Sequence, residues 1–263
     1  MPVLSVNLNK IALLRNSREG SRPSVIEAAR TVISAGARGI TVHPRTDQRH
    51  IRPQDVDDLS RLLRDEYPAI EFNIEGNPFA PPNSSHTSQA GYPGFDALID
   101  SARPNQATLV PDSDDQLTSD HGFDLRVHDT ALEDKIALYQ SLGARVSLFM
   151  DPDLDQIYAA QQHGADRIEL YTGPFAELVW THGAQHEAAQ TSLLRYQSAA
   201  QHAVQLGMGV NAGHDLDCVN LPLFCRIEEI AEVSIGHALI ADALERGLYE
   251  TTIQYIQALQ PRA

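Results

Sequence analysis

The segment AGARGITVHPR, Ala35 to Arg45, carries one complete unit of the pattern that decides the fold. A helical pattern runs from Ser24 to Ala35, and Gly36 can take the left-handed conformation that ends a helix and turns the chain. Ile40 and Val42 then share one parity, while Thr41, His43 and Arg45 share the other. Alternation of period two marks a strand with one apolar face. The polar residues do not stop with the strand: His43 and Arg45 crowd its carboxyl end.

Outward from this segment the unit repeats along the chain. LGARVSLF (142–149) and HGADRIEL (163–170) restate it, with Gly143 and Gly164 in the place of Gly36. LSVNLNK (4–10), AIEFNIEG (69–76), QATLVPD (106–112), GMGVNAGHD (207–215) and EVSIGHAL (232–239) complete a set of eight candidate strands. Helical patterns separate most of them, over 55–66, 131–142, 154–163 and 187–206. Strands alternating with helices argue for a parallel sheet, and eight is the number that closes into a (β/α)8 barrel. The competitor is an open doubly wound sheet, but the first connection, NKIALLRNSREG, lacks the glycine-rich fingerprint that would favour it. The 263 residues are therefore expected to form one barrel domain, 1–263, with a long Pro-, Ser- and Gly-rich loop, 77–96, after the third strand. The acidic loop PDSDDQLTSDHGFD after the fourth could serve as a lid over the mouth.

Composition bounds the partners. The formal charge of −15 argues against nucleic acid and anionic membranes. The first quarter is nonetheless basic, with 11 Lys and Arg against 6 Asp and Glu before Asp65. A small anionic ligand in a local positive pocket suits this asymmetry, as does solvated surface charge. No apolar run approaches the roughly 20 residues of a membrane span and no leader pattern opens the chain, so a cytoplasmic location is expected. Cys218 and Cys225 lack metal-ligand spacing and read as inert buried thiols.

In a barrel the apolar parity lies under the helices and the other points inward. That other parity carries Asn7 and Asn9, His43 and Arg45, Asn73 and Glu75, Asp151, Glu169 and Tyr171, Asn211 and His214, and Ser234 and His237. One buried Asn or Glu can simply satisfy its neighbours, but so many at strand ends, where barrels build their active sites, describe a polar pocket. His43, Glu75 and His214, with Glu169 and His237 nearby, are suited to proton transfer near neutral pH. Anions have two candidate places: Arg15, Arg18 and Arg22 around the first connection, and Arg45, Arg49, His50 and Arg52 in HPRTDQRHIR. These arginines could instead pair with Asp47, Asp55, Asp57 and Asp58. Small residues in NAGHD and SIGHA let backbone N–H groups approach a phosphate. Lys10 reads more simply as a charge for a phosphate or carboxylate than as a Schiff-base lysine. His43, Glu75, Glu169 and His214 offer few carboxylates for a hard cation, and His182 with His186 lies away from the strand ends, so no metal is expected.

In order and over nearly the whole chain, VNLNKIALLRNSR, GITVHPRTDQRHI, FNIEG, TLVPD, SLFMDPD, IELYTGP, VNAGHDL and SIGHALI resemble the successive motifs of the pyridoxine 5'-phosphate synthase family. The resemblance implies an α/β fold, a (β/α)8 TIM barrel with extra helices, assembled as a homo-octamer and needing no metal or organic cofactor. It implies the condensation of 3-amino-2-oxopropyl phosphate with 1-deoxy-D-xylulose 5-phosphate to pyridoxine 5'-phosphate, phosphate and water, in vitamin B6 biosynthesis. By position it makes His43 the general acid/base, Glu75 a second proton acceptor, His214 the proton donor and Glu169 the group that stabilises transition-state charge. Asn7, Arg18, Gly236 and His237 match binders of the amino ketone phosphate; Asn9, Lys10, Arg45, His50 and Thr118 match positions that hold the deoxyxylulose phosphate. Asn9 and Lys10 stand where the commonest family form has Asp-His, and Asp215 where it has Gly; Asp215 is expected to pair with the ammonium of the amino ketone. Two rival readings are a metal-dependent phosphosugar isomerase or aldolase and a non-catalytic phosphometabolite-binding protein.

Overall fold

The computed structural model describes residues 1–18, 20–84 and 91–260. Eight strands close into one barrel in chain order: β1 (Val3–Asn7), β2 (Gly39–Val42), β3 (Glu71–Gly76), β4 (Gln106–Leu109), β5 (Arg145–Met150), β6 (Arg167–Tyr171), β7 (Gly209–Gly213) and β8 (Ile230–Ile235). All neighbours are parallel, and β8 returns to β1 in the register Val3↔Glu232 to Val6↔Ile235. The expected barrel is thus observed.

The connecting helices are α1 (Asn9–Asn16), α2 (Val25–Ser34), α3 (Pro53–Glu66), α4 (Phe95–Ala102), α5 (Thr130–Ser141), α6 (Leu154–Gln162), α7 (Gly173–His182), α8 (Glu187–Gln205), α9 (Leu221–Phe224), α10 (His237–Arg246) and α11 (Leu248–Ala258). The first, sixth and eighth strands are each followed by two helices, which supplies the extra helices expected. Local chemistry sets many of the ends. Ser24, Asp129 and Asp153 accept backbone N–H groups at the starts of α2, α5 and α6, and Gly36, Gly143, Gly164 and Gly207 take positive φ just past the ends of α2, α5, α6 and α8. In the 77–96 loop, residues 85–90 lie outside the described residues, Asn83 pairs with Tyr92 in an antiparallel bridge, and α4 begins at Phe95, inside the expected loop. Phe95 packs so closely on Gly76 that a Cβ there would meet its ring at 2.4 Å.

The apolar parity lies in the layer between sheet and helices, where Val6, Ile40, Ile74, Ala107, Leu148, Ile168, Ala212 and Val233 are fully buried. The inward parity is polar for much of the barrel's length. Ser5 Oγ lies 2.7 Å from Thr41 Oγ1, Thr108 Oγ1 donates to Asn73 Oδ1 at 3.0 Å, and Gln106 Nε2 donates to Thr108 Oγ1 at 3.1 Å. Arg145 Nη2 donates to Gln106 Oε1 at 2.9 Å, Arg167 Nη1 to Asn211 Oδ1 at 2.9 Å, and Asn211 Nδ2 to Glu232 Oε1 at 3.2 Å. Polar character therefore reaches the amino ends of the strands, beyond the carboxyl-end pocket expected from the alternation. Arg145 and Arg167 open their strands on the inward parity, in line with Ser147 and Glu169, so the alternation extended to the strand starts places them among the inward side chains.

At Gly143 φ is +89° and nothing lies within 4 Å of the place a Cβ would occupy. A Gly143→Ala variant should therefore lose about 1 kcal/mol from backbone strain alone, read as a lower denaturant midpoint at unchanged slope; an unchanged midpoint would show that this turn tolerates an L side chain.

Candidate active site

The carboxyl ends of β1, β2, β3, β7 and β8 converge on a cavity of about 500 Å³. Of the residues to which the resemblance gives a role, Asn7, Asn9, Lys10, His43, Arg45, His50, Glu75, Thr118, His214, Asp215, Gly236 and His237 line it. Two are placed otherwise. Glu169 is buried and absent from the cavity wall, and Arg18 is exposed on the turn after α1, away from the cavity. Asp151 also departs from the pocket: it lines a separate groove with Arg126, Arg195 and Tyr196 and accepts the Gly122 N–H at 3.3 Å.

The two asparagines join three strand ends. Asn7 Oδ1 accepts the backbone N–H of Asn9 at 3.0 Å, and Asn7 Nδ2 donates to Glu75 Oε2 at 3.3 Å. Asn9 Oδ1 accepts the backbone N–H of His43 at 2.9 Å. The same Glu75 oxygen lies 3.8 Å from His43 Nδ1. Asn9 thus fixes the backbone of His43, and Asn7 fixes both Asn9 and Glu75.

Burial controls the proton affinities. It pushes the Glu75 carboxyl up to about 8, helped by the charges of Asp112 and Glu232 and opposed by a hydrogen bond from Ser234. Glu169 is raised well above the ordinary range by burial and by the neighbouring Glu75 and Glu232; neither of its oxygens has a hydrogen-bond partner among the described residues. Gly213 makes room for it, since a Cβ there would lie 2.4 Å from Glu169 Oε1. Burial holds His43 well below its usual value, aided by Arg45, His214 and Arg49. His214 is lowered to about 4, again chiefly by burial, and its ring packs against Phe149 at 4.8 Å and Tyr171 at 5.8 Å. His214 and Asp215 both take left-handed φ, 79° and 60°, a costly conformation for non-glycine residues that recurs at functional sites. Burial therefore favours the neutral imidazoles of His43 and His214 and the protonated carboxyls of Glu75 and Glu169.

The expected anion sites divide. Arg15 is consumed by a buried, two-pronged ion pair with Asp55, and Arg49 pairs with Asp47 at 2.7 Å. Arg45 lines the cavity, but its guanidinium is held by Asp112 and by the Gln116 carbonyl at 2.8 Å. Lys10 also lines the cavity and has neither hydrogen bond nor ion pair among the described residues. His50 Nδ1 accepts the Ile51 N–H at 2.9 Å, which leaves Nε2 as the donor. Asp112 and Ser119 were not assigned from the sequence, although Asp112 lies in TLVPD, three residues past the end of β4. Among the described residues, no group of three or more His, Cys, Asp or Glu is arranged to hold a metal ion. None of their helices is long and apolar enough to cross a membrane.

The sequence model of the family described as "Pyridoxal phosphate biosynthesis protein PdxJ" matches residues 4–261. A pyridoxine 5'-phosphate synthase of Xanthomonas oryzae pv. oryzae (strain MAFF 311018) is 53% identical over 258 residues, covering 98% of this chain and 96% of the relative. One of Xylella fastidiosa (strain 9a5c) is 50% identical over 258 residues, covering 97% and 94%. Among solved structures, thiamine phosphate pyrophosphorylase from Pyrococcus furiosus superposes with a TM-score of 0.59 at 10% identity, covering 98% of this chain and 95% of that one. Tryptophan synthase from M. tuberculosis gives 0.60 at 9% identity, covering 99% and 94%. At such low identity these structures share the fold alone.

Because Glu75 is raised from its ordinary 4.5 to about 8, the native state keeps a proton that the unfolded chain releases between those values. Its contribution to stability is full below about 4.5 and is lost as pH rises towards 8. Glu75→Gln, which cannot ionise, should lose less stability than the parent over that window, with the gap closing below pH 4.5. Denaturant titrations across pH that give parallel curves would show Glu75 ionised throughout.

Proposed function

This chain belongs to the PdxJ family of pyridoxal phosphate biosynthesis proteins, and from that premise we propose that it is a pyridoxine 5'-phosphate synthase acting by acid/base catalysis. The substrates are 3-amino-2-oxopropyl phosphate and 1-deoxy-D-xylulose 5-phosphate. The observation that carries the reading is the convergence of His43, Glu75 and His214 with the unpaired Lys10 on one cavity.

In this reading an amine must condense with a ketone, water and phosphate must leave, and a carbon–carbon bond must close the ring. Each step needs a proton moved at a defined place, and fixed groups in an enclosed mouth provide that. His43, kept neutral by burial, takes protons first. Glu75 takes a second proton once ionised, and His214 returns one to a leaving oxygen, its basicity raised by the arriving phosphate charge. Glu169, protonated beneath the cavity, supplies a donor for developing negative charge, as other buried neutral carboxyls do. Lys10 and the His50 Nε2–H support the deoxyxylulose phosphate, with Asn9, Thr118 and Arg45 on the same wall. Asn7, Gly236 and His237 hold the amino ketone phosphate. Asp215, half-buried on the wall with its pKa raised by burial, pairs with the ammonium group. The family's homo-octamer and a cytoplasmic location are part of the same proposal. Leu13 and Leu14, 41% and 51% exposed on α1 beside the exposed Arg18, suit a rim covered by a second copy.

The test mixes the protein with both substrates in EDTA and follows pyridoxine phosphate absorbance and free phosphate together. Both signals should appear, and His43→Ala should lose about 10²–10⁴-fold in kcat. A reaction abolished by the chelator and restored by a divalent ion would instead favour the metal-dependent barrel; ligand binding with no turnover would leave only a binding protein. Lys10→Met should raise the KM for the deoxyxylulose phosphate by on the order of 10- to 100-fold, the worth of a charge-assisted hydrogen bond, with a smaller change for the amino ketone.

A further inference from the structure

Behind the His43 ring lies a carboxylate that the proposed chemistry leaves unassigned. Asp112 follows β4 through Val110 and Pro111, and its side chain is only 6% exposed. Its Oδ2 accepts from Arg45 Nη2 and, at 2.8 Å, from Ser119 Oγ, and lies 3.7 Å from His43 Nε2. Its Oδ1 is buried without a hydrogen-bond partner among the described residues. Its backbone carbonyl accepts from Asn77 Nδ2 at 2.7 Å, which ties it to the end of β3. His43 is thus flanked by two carboxylates, Glu75 on its Nδ1 side and Asp112 on its Nε2 side.

The residues after Asp112 are held by the same arginines. Arg45 Nη1 and Arg49 Nη1 each donate to the Gln116 carbonyl at 2.8 Å, and Arg49 Nη2 donates to the Asp114 carbonyl at 2.8 Å. Leu117, Thr118 and Ser119, next in the chain, form part of the cavity wall, whereas Asp112 itself does not line the cavity. A buried carboxylate with one oxygen unpaired among the described residues is costly, and its other oxygen joins Arg45 and Ser119 of the wall while facing the His43 imidazole. The charge therefore asks for a role at the imidazole it faces.

We propose that Asp112 is a positioning residue for the reaction: through Arg45 and Ser119 it locks the wall that carries Thr118 against the His43 imidazole, so that the base and the substrate-holding wall keep one geometry. The inference rests on the reading of His43 as the proton-moving group. It also gives Arg45 a second task, holding that wall, and leaves Lys10 as the cavity's unpaired cation.

The experiment compares the parent with Asp112→Asn and Asp112→Glu in the condensation assay over pH, alongside ¹⁵N signals of the His43 ring identified with His43→Gln. Asp112→Asn should lower kcat by on the order of 10- to 100-fold, less than the loss of the base itself, while the KM for the deoxyxylulose phosphate changes less than about 3-fold. Asp112→Glu should recover part of kcat. The groups facing Glu75 are Asn7 from β1, His43 after β2, Asp112 after β4, Glu169 from β6, and Glu232 and Ser234 from β8. Removing one negative neighbour should move the rising limb of kcat/KM towards acid and shift the His43 signals. A lower melting temperature with kcat per folded molecule, pH limb and ¹⁵N signals all unchanged would make Asp112 a fold-stabilising residue only and overturn the proposal. If Asp112→Asn does not fold, Ser119→Ala loosens the same oxygen without removing charge; a 3- to 10-fold lower kcat supports the proposal and an unchanged one overturns it. If the parent shows no turnover, the synthase reading fails, and the His43 signals alone decide: moved in Asp112→Asn they support the positioning role, unmoved they end it.

Discussion

A buried polar side chain costs free energy unless it finds a partner, and much of the inward face of this barrel is made of such side chains. Barrel interiors usually fill with branched aliphatic residues. Here Ser5, Thr41, Asn73, Thr108 and Gln106 bond to one another from β1 to β4, and Arg145, Arg167, Asn211 and Glu232 carry the pattern on to β8. Each strand therefore has to sit in one register, because a slip by a single residue would turn its apolar set inward and its polar set into the layer beneath the helices. The strand ends inherit that precision. Asn7, His43, Glu75 and His214 meet because the registers below them leave little freedom.

The same interior sets the electrostatics of the mouth. Glu75, Glu169 and Glu232 are three carboxyls in one low-dielectric space, and the cations Arg145 and Arg167 counter chiefly Glu232. The other two are left to hold protons, and burial strips His43 and His214 of theirs. The result is that Glu75 and Glu169 favour their protonated forms close to the neutral imidazoles of His43 and His214. Protons can be exchanged there in either direction at modest cost, which a multistep condensation requires.

Much of this was legible in the sequence. Eight alternating segments, glycines at helix ends and the missing dinucleotide fingerprint led to the barrel, and the polar parity led to Asn7, Asn9, His43, Arg45, Glu75, His214, Ser234 and His237, which do share one cavity. Three kinds of information were not legible. Exposure is one: nothing in the sequence around Arg18 marks it as exposed after the first helix. Partnership is another: Arg15, Arg45 and Arg49 read alike, yet one pairs in the interior with Asp55, one holds the wall after β4 and one is shared with Asp47. Depth is the third, since Glu169 has the parity of the site but lies beneath its wall.

The sequence by itself determined the periods, the breaks between them and the chemical types at each strand's carboxyl end, because these are local properties of backbone geometry and side-chain polarity. That was enough for the number of strands, their parallel sense and the residues fit to move protons. Only the tertiary structure decided which charges are already spent, as at Arg45 with Asp112, and which remain free, as at Lys10. Only it set the proton affinities of Glu75 and His214. Pairing and desolvation depend on distance and burial between segments far apart in the chain, and no local pattern encodes them.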